Sequence, residues 1–306
     1  MRIVFMGTPA IAATCLTRLC EDGHEIAGVF TKPDTPKNRG MKLAESEVKA
    51  CAVSRGIPVF QPETFKNNDE LRRTLTALRP ELIAVVAYGK ILPQWALDIP
   101  PLGCVNIHAS ILPALRGSAP IQWAVLNGLR ETGVTAMYMN AGMDTGDIIA
   151  VKKTPIGPEE TSGELTDRLA ALGAALLSET VRRIADGTAQ RTPQDGAKAT
   201  LAPMLSKALS PIDWSRSAEE IRNQVRGLIP WPVAAADFEG KRFKIYRVLP
   251  SEEKTNAAPG TPLALTRRGL DVACGGGGVL TIAELQAEGG KRMPAPDYFR
   301  GHPIKL

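Results

Sequence analysis

The sequence lacks several features that would narrow its function at once. No apolar run approaches the roughly 18 residues that cross a bilayer, so we predict no membrane span. The first residues, MRIVFMG, lead directly into a predicted strand, which leaves no room for a signal or transit peptide. The 5 cysteines are odd in number, scattered and without any C-x-x-C pair. They indicate reduced thiols in a cytoplasmic protein and argue against a thiolate metal site.

A glycine motif for nucleotide binding is also missing from the N-terminal segment. Residues 2–7 are an apolar strand, followed by a predicted helix to about Cys20, an order that also opens dinucleotide folds. Only Gly7 stands where G-x-G-x-x-G would be needed for close approach of a pyrophosphate. Nucleotide binding is therefore disfavoured.

Strands and helices alternate along the first half of the chain. Helices are predicted at about 44–55 and 68–78, between strands at Arg2–Gly7, Glu25–Thr31, Pro58–Phe60, Leu82–Tyr88 and Val105–Ser110. This order predicts parallel βαβ units, hence a Rossmann-like α/β domain with helices on both faces of the sheet. Open sheets of this kind place their sites at the carboxyl ends of the strands.

The chain changes character beyond about residue 209. Residues 190–208 show no clear hydrophobic period and predict a linker. After them, short strands are separated by turn signals such as Trp231-Pro232 and Pro259-Gly260, a pattern typical of a small, OB-like β-barrel. We therefore predict a Rossmann-like domain at 1–189, a linker at 190–208 and a barrel domain at 209–306.

The most informative stretch is 103–124, GCVNIHASILPALRGSAPIQWA. Residues two apart on a strand share a face, so Asn106, His108 and Ser110 are predicted to project together. An amide, an imidazole and a hydroxyl at the end of an apolar strand suit a catalytic site. For an isolated N-x-H, a histidine that is simply hydrogen-bonded beside a turn is the plainer interpretation.

The length of the pattern favours catalysis. NIH, S-x-LP and RG-x-AP-x-Q-W-A, followed by GMDTGDI at 142–148, closely resemble the signature of the folate-dependent formyltransferases, nearest to those that act on methionyl-tRNA. The resemblance extends from FMGTPA near the start to PAPDYFRG near the end. Before RG the family usually has a basic residue and an aromatic, where this chain has Ala114 and Leu115. That departure affects one expected positive contact but not the chemistry.

The resemblance implies a catalytic set and a donor pocket. Formyl transfer passes through a tetrahedral carbon bearing an oxyanion, which needs fixed donors and proton transfer between two nitrogens. Asn106 and His108 would bind the formyl oxygen, while Asp144 would orient His108 and help to receive the amine proton. The donor, 10-formyltetrahydrofolate, would lie in a largely backbone-lined pocket at Val86, Ala87, Tyr88, Gly89, Ile91, Leu92, Ser110, Ile111, Leu112 and Pro113.

A metal site made of His108, Asp144 and Asp147 is the rival interpretation. These residues lack a local ligand motif, and the reaction needs no Lewis acid. We therefore predict that no metal is bound.

The polar segment Lys32–Lys42, KPDTPKNRGMK, carries four cations and one acid. Its composition predicts a solvated loop without regular structure. By resemblance it corresponds to a mobile insertion that reaches the acceptor stem of tRNA, with Lys37, Arg39 and Lys42 as contacts.

A second basic region lies in the C-terminal part. Residues 209–306 contain 14 Lys and Arg against 11 Asp and Glu, a net charge of +3 out of +5 for the whole chain. In the predicted strand Lys241–Val248, alternation would bury Phe243 and Ile245 and expose Arg242, Lys244 and Tyr246. A basic face with an aromatic suits a nucleic-acid groove, although on the sequence alone a merely solvated strand face is the favoured interpretation.

The predicted function is therefore transfer of the formyl group of 10-formyltetrahydrofolate to the methionine amino group of initiator methionyl-tRNA, by a cytoplasmic monomer. One alternative keeps this chemistry but uses a small amine, an amino-sugar nucleotide or glycinamide ribonucleotide. Another is a catalytically silent folate- or tRNA-binding protein. The two basic regions favour tRNA, and a pure binder would not need Asn106, His108 and Asp144 together.

Overall fold

The structure is a computed structural model that describes residues 1–37 and 42–306. The chain forms two compact units. Unit 1 comprises residues 1–120, 131–155 and 166–203, and unit 2 comprises residues 121–130, 156–165 and 204–306.

The strands of unit 1 are, in chain order, β1 (Arg2–Gly7), β2 (Glu25–Phe30), β3 (Thr35–Lys37), β4 (Lys42–Ala44), β5 (Val59–Phe60), β6 (Leu82–Val86), β7 (Cys104–His108), β8 (Arg116–Gly117), β9 (Glu131–Tyr138), β10 (Ile148–Pro155) and β11 (Leu201–Ala202). The helices up to residue 185 are α1 (Ala10–Glu21), α2 (Glu47–Val53), α3 (Asp69–Ala77), α4 (Gln94–Leu97), α5 (Pro120–Leu126) and α6 (Ser162–Ala185). Short 3₁₀ turns occupy Gly196–Lys198 and Lys207–Leu209.

The main sheet of unit 1 has the strand order β10-β9-β7-β6-β1-β2-β5. The strands from β7 to β5 are parallel, whereas β9 runs antiparallel to β7 and β10 antiparallel to β9. β1 and β6 are buried almost throughout, which explains their continuous apolar sequences. The predicted α/β class is confirmed, with an antiparallel pair, β9 and β10, that the sequence interpretation had not identified.

Helix starts in both units follow from capping side chains. Ser46 accepts a hydrogen bond from the Lys49 amide at the start of α2, and Asn68 accepts one from the Leu71 amide at the start of α3. Ser217 and Glu220 form a reciprocal capping box at the helix that begins at Ala218. These bonds satisfy amides that have no partner within their own helix.

The prediction that Lys32–Lys42 lacks regular structure is wrong for its ends. β3 and β4 pair antiparallel, with Lys37 opposite Lys42. Asp34, just before β3, accepts hydrogen bonds from the Lys49 ammonium and from the Gln61 amide. The composition of the segment does not reveal these partners, because Lys49 and Gln61 lie outside it. Arg39 lies outside the described residues.

Unit 2 contains an antiparallel sheet, in agreement with the predicted fold class. Its strands are β12 (Ala234–Phe238), β13 (Lys241–Lys254), β14 (Pro262–Leu265), β15 (Leu270–Ala273), β16 (Gly278–Ala287) and β17 (Arg292–Pro294). Their order is β12-β13-β16-β15-β14, with β17 also paired to β16. The accompanying helices are α7 (Ala218–Gly227) and α8 (Ala295–Gly301).

Unit 2 also recruits segments from earlier in the chain. Arg226 of α7 is buried, and its guanidinium donates to the carbonyls of Gly157 and Glu160 and to the Asn223 side chain. Burial lowers the pKa of this guanidinium. Ser162 donates to the Ile229 carbonyl. Residues 156–165 are therefore an integral part of the unit that holds the C-terminal sheet.

The cysteines are all free thiols. Burial raises the pKa of Cys15 and Cys104 to about 12 and that of Cys274 to about 11. Cys20 and Cys51 are partly exposed. Among the described residues, no helix combines the length and apolar character needed to span a membrane.

Candidate active site

Strand β7 brings Asn106 and His108 to one face of the main sheet. His108 is buried, with 6% of its side chain exposed, and Asn106 is partly exposed. The side-chain carboxamide of Asn106 makes no hydrogen bond with any described residue, so its N–H groups are available to another acceptor. The strand ends at His108, so the prediction that Ser110 continues the same strand face is wrong. Ser110 lies in the following turn, where its hydroxyl donates to the Ala114 carbonyl at 2.6 Å.

Both ring nitrogens of His108 lie beside protein acceptors. Nε2 is 2.9 Å from the Leu115 carbonyl oxygen, and Nδ1 is 3.6 Å from Asp144 Oδ2. Leu115 adopts the left-handed conformation, with φ 60°, which costs a residue with a Cβ roughly 1–2 kcal/mol. The ring is therefore held through Nε2, while the Asp144 carboxylate lies near Nδ1 but beyond hydrogen-bond distance.

The carboxylate of Asp144 is held by the backbone. The Gly117 amide donates to Oδ2 at 2.8 Å, and Asp144 itself has φ 53°. The side chain is 16% exposed. One carboxylate oxygen therefore faces both a fixed N–H donor and the His108 ring.

The loop 139–147 that carries Asp144 starts at the far end of β7 from His108. Its first amide, from Met139, donates to the Cys104 carbonyl at 2.8 Å, and Tyr138 pairs with Val105. The loop must therefore fold back along the strand to bring Asp144 to His108. Gly146 makes a close approach possible, because a Cβ there would lie 1.7 Å from the Tyr138 carbonyl oxygen.

The segment predicted as a linker lies against this site within unit 1. Gln194 donates to the carbonyls of Asp144 and Gly146 and accepts from Arg116. The Thr200 hydroxyl accepts from the Leu115 amide, and β11 pairs with β8. The sequence interpretation missed Gln194 and Thr200, and no local pattern marks them. Their partners lie 50 and 85 residues away along the chain.

Residues 1–181 match the family described as formyl transferase, and residues 204–303 match its C-terminal domain. The chain belongs to the formyltransferase family. It is 49% identical over 306 residues to the methionyl-tRNA formyltransferase of Acetivibrio thermocellus, covering 99% of this chain and 97% of that protein. The methionyl-tRNA formyltransferase of Alkaliphilus oremlandii is 45% identical over 305 residues, covering 100% and 98%.

Among solved structures, an N-formyltransferase from Helicobacter canadensis, in complex with folinic acid and dTDP-3-aminofucose, is similar with a TM-score of 0.68. The match is 18% identical and covers 92% of this chain and 98% of that one. This likeness supports the fold only.

The predicted donor-pocket residues of this formyltransferase divide by exposure. Val86, Tyr88, Leu92 and Leu112 are buried as whole residues, so they present almost no surface to a ligand. Ala87 and Gly89 are exposed, and Ile91 is 88% exposed. The remaining members, Ser110, Ile111 and Pro113, belong to the turn after β7. The pocket assignment stays a prediction.

The predicted tRNA contacts occupy both units. In unit 2, Phe243 and Ile245 are buried while Arg242 and Lys244 are exposed, as the alternation predicted. The Tyr246 ring is covered by the Arg292 guanidinium, 4.5 Å from the ring centroid. Arg292 in turn donates a hydrogen bond to Glu284, and this bond raises the pKa of Arg292.

The rival metal interpretation finds no cluster to support it in the part of the chain that the structure describes. Within residues 1–37 and 42–306, no group of three or more His, Cys, Asp or Glu side chains is placed to hold a metal ion.

Proposed function

We propose that this formyltransferase moves the formyl group of 10-formyltetrahydrofolate to the amino group of the methionine on initiator methionyl-tRNA, for translation initiation. Support comes from relatives named methionyl-tRNA formyltransferase, which are 45–49% identical to this chain over nearly its full length. The observation that carries the chemistry is the placement of Asn106 and His108 on one strand face with Asp144 at the His108 ring.

The reaction needs two bonds to exchange at one carbon. The amine nitrogen attacks the formyl carbon, the carbonyl oxygen becomes an oxyanion, and the bond from carbon to the folate nitrogen then breaks. The incoming amine loses a proton and the folate nitrogen gains one. The free Asn106 amide can donate to the oxyanion, a type of contact worth ~2.7–4 kcal/mol in other enzymes.

His108 and Asp144 manage charge and protons in this proposal. Nε2–H changes its acceptor from the Leu115 carbonyl to the formyl oxygen as the oxyanion forms. Asp144, whose carboxylate lies 3.6 Å from Nδ1, orients the ring, while the Gly117 amide fixes the carboxylate. The carboxylate then helps to receive the amine proton.

Substitution of the three residues tests the assignment. Asn106→Ala, His108→Ala and Asp144→Ala should each lower the single-turnover rate constant of formyl transfer by ~100-fold or more, in line with the loss of one oxyanion donor or of general acid–base catalysis. Thermal unfolding and tRNA affinity should be retained. Asp147→Asn, three residues from Asp144 in the same loop, is the matched control and should keep the rate. A variant of the trio with normal turnover would remove that residue from the mechanism.

The acceptor is tested separately. We propose that residues 1–189 catalyse the transfer and that residues 209–306 bind tRNA through Arg242 and Lys244. Lys37, Arg39 and Lys42, in the first of these ranges, would add contacts to the tRNA. Charged initiator tRNA should be formylated, whereas free methionine and an amino-sugar nucleotide should not. Efficient formylation of either small amine would overturn the choice of acceptor while leaving the chemistry intact.

A further inference from the structure

We propose that Gln194 is a positioning residue that holds the Asp144 loop in its catalytic geometry. The proposal rests on the proposed role of Asp144 and assigns a function to a segment that sequence patterns indicate only as a linker.

Inside the Asp144 loop, the Asn140 side chain accepts hydrogen bonds from the Gly142 amide and the Thr145 hydroxyl, but neither bond ties the loop to the rest of unit 1. Residues 141–143 are exposed, with Met143 at 60%. The Asp144 carboxylate is bound by one backbone amide, and the loop must reverse along β7 to reach His108. A carboxylate held by one hydrogen bond on an exposed loop needs its backbone fixed from elsewhere.

Gln194 supplies that fixation with both ends of its carboxamide. Its Nε2 donates to the Asp144 carbonyl at 3.0 Å and to the Gly146 carbonyl at 2.7 Å. Its Oε1 accepts from Arg116 Nε at 3.2 Å and from a terminal guanidinium nitrogen at 2.7 Å. Carbonyls only accept and a guanidinium only donates, so these partners dictate which end of the carboxamide faces which way.

These contacts bind Asp144 at two points. The amide of Gly117, the residue after Arg116, donates to Asp144 Oδ2, and Gln194, which binds Arg116, also binds the Asp144 carbonyl. A displacement of the loop would have to break both hydrogen bonds of Asp144. The carboxylate is therefore tied to strand β8 through its side chain and through its main chain.

The segment around Gln194 is itself anchored at the site. Thr192 exchanges two backbone hydrogen bonds with Ile148, at 2.8 and 2.9 Å. Further on, Thr200 accepts from the Leu115 amide through its hydroxyl and from the Arg116 amide through its carbonyl. Leu115 provides the acceptor for His108 Nε2, so one segment fixes the partners at both edges of the imidazole.

Two substitutions separate positioning from simple stabilisation. Gln194→Ala removes all the contacts of the carboxamide. Gln194→Glu keeps the acceptor for Arg116 but turns a carboxylate oxygen toward two carbonyl oxygens, so the loop loses its donor. Because a misplacement of ~1 Å can cost ~100-fold in rate, both variants should lower the single-turnover rate constant by about that factor. The KM for methionyl-tRNA and the Kd for the folate donor should stay unchanged.

Asp195→Ala is the matched control, since it removes the cap of the neighbouring 3₁₀ turn without touching the Asp144 loop. It should lower stability slightly and leave the rate unchanged. A Gln194→Glu variant with a normal rate, or variants that lose stability without any change in rate, would overturn the proposal. Asp144→Ala is measured alongside: if it too keeps its rate, the proposed catalytic role of Asp144 has failed, rather than the positioning by Gln194.

Discussion

Gly146→Ala offers a test of the Asp144 loop that leaves every catalytic side chain in place. The added Cβ would lie 1.7 Å from the Tyr138 carbonyl oxygen, whereas Cβ atoms essentially never come within 3.0 Å of another heavy atom. Tyr138 belongs to β9 inside the main sheet, so the loop has to move rather than the strand.

The required displacement sets the expected size of the effect. The loop must move by at least 1.3 Å, the difference between 1.7 and 3.0 Å. The Gly146 carbonyl would leave Gln194, and the present distance of 3.6 Å between Asp144 Oδ2 and His108 Nδ1 would change. A misplacement of this size costs ~100-fold in the rate of transfer. Overpacking should also cost about 1–3 kcal/mol of unfolding free energy.

Single-turnover formylation of methionyl-tRNA, together with folate titration and urea unfolding, separates these effects. We expect a slow transfer step with unchanged folate affinity. Gly196→Ala is the control, because a Cβ at that position meets no heavy atom within 4 Å. A normal transfer rate in Gly146→Ala would refute the argument that the position of Asp144 controls the reaction.

Further predictions concern thiols, acid stability and tRNA binding. Iodoacetamide at pH 8 should alkylate only Cys20 and Cys51 in the native protein and all 5 cysteines in urea, as mass spectrometry would show; rapid native labelling of the buried thiols would contradict their raised pKa. The hydrogen bond from Lys49 lowers the pKa of Asp34 in the folded protein. The ionised Asp34 carboxylate therefore stabilises the fold at pH values above its pKa in the unfolded chain, and this stabilisation is lost as the pH falls through its pKa in the folded protein. The stability difference between wild type and Asp34→Asn in urea unfolding should therefore shrink from pH 7 to pH 3, and a difference that persists at pH 3 would exclude the ion pair. If Arg242 and Lys244 contact phosphates, alanine at both should flatten the log–log salt dependence of tRNA affinity by roughly 0.7–0.9 per contact, and an unchanged slope would exclude them.

The local sequence pattern is sufficient to predict the parallel strands of the main sheet and the strand face that carries Asn106 and His108. Continuous apolar runs mark buried strands, and alternation marks the buried side of Lys241–Val248 in unit 2. Each of these signals is contained within a few neighbouring residues. The family resemblance supplied Asp144, which the structure places beside His108.

The features that were missed depend on a turn after β7 or on partners far along the chain. The end of β7 at His108 is set by the turn in which Ser110 bonds Ala114, so counting alternate residues carried the strand two positions too far. Gln194 and Arg116 are 78 residues apart in the sequence, and no pattern in the polar sequence around Gln194 indicates their contact. Asp34 likewise acquires order from two residues outside its own segment.

The composition of unit 2 has a consequence for synthesis on the ribosome. Residues 156–165 are synthesised well before α7. The Gly157 carbonyl accepts a hydrogen bond from Arg226, which is synthesised 69 residues later. At a rate of ~5–20 residues per second this delay is about 3–14 s. During that time the carbonyls of Gly157 and Glu160 lack the guanidinium that binds them in the native protein. We expect stalled nascent chains ending near residue 207 to be cleaved by protease within 121–130 or 156–165, and completed chains to resist. Equal resistance of both would show that these segments reach a protected state without the C-terminal sequence.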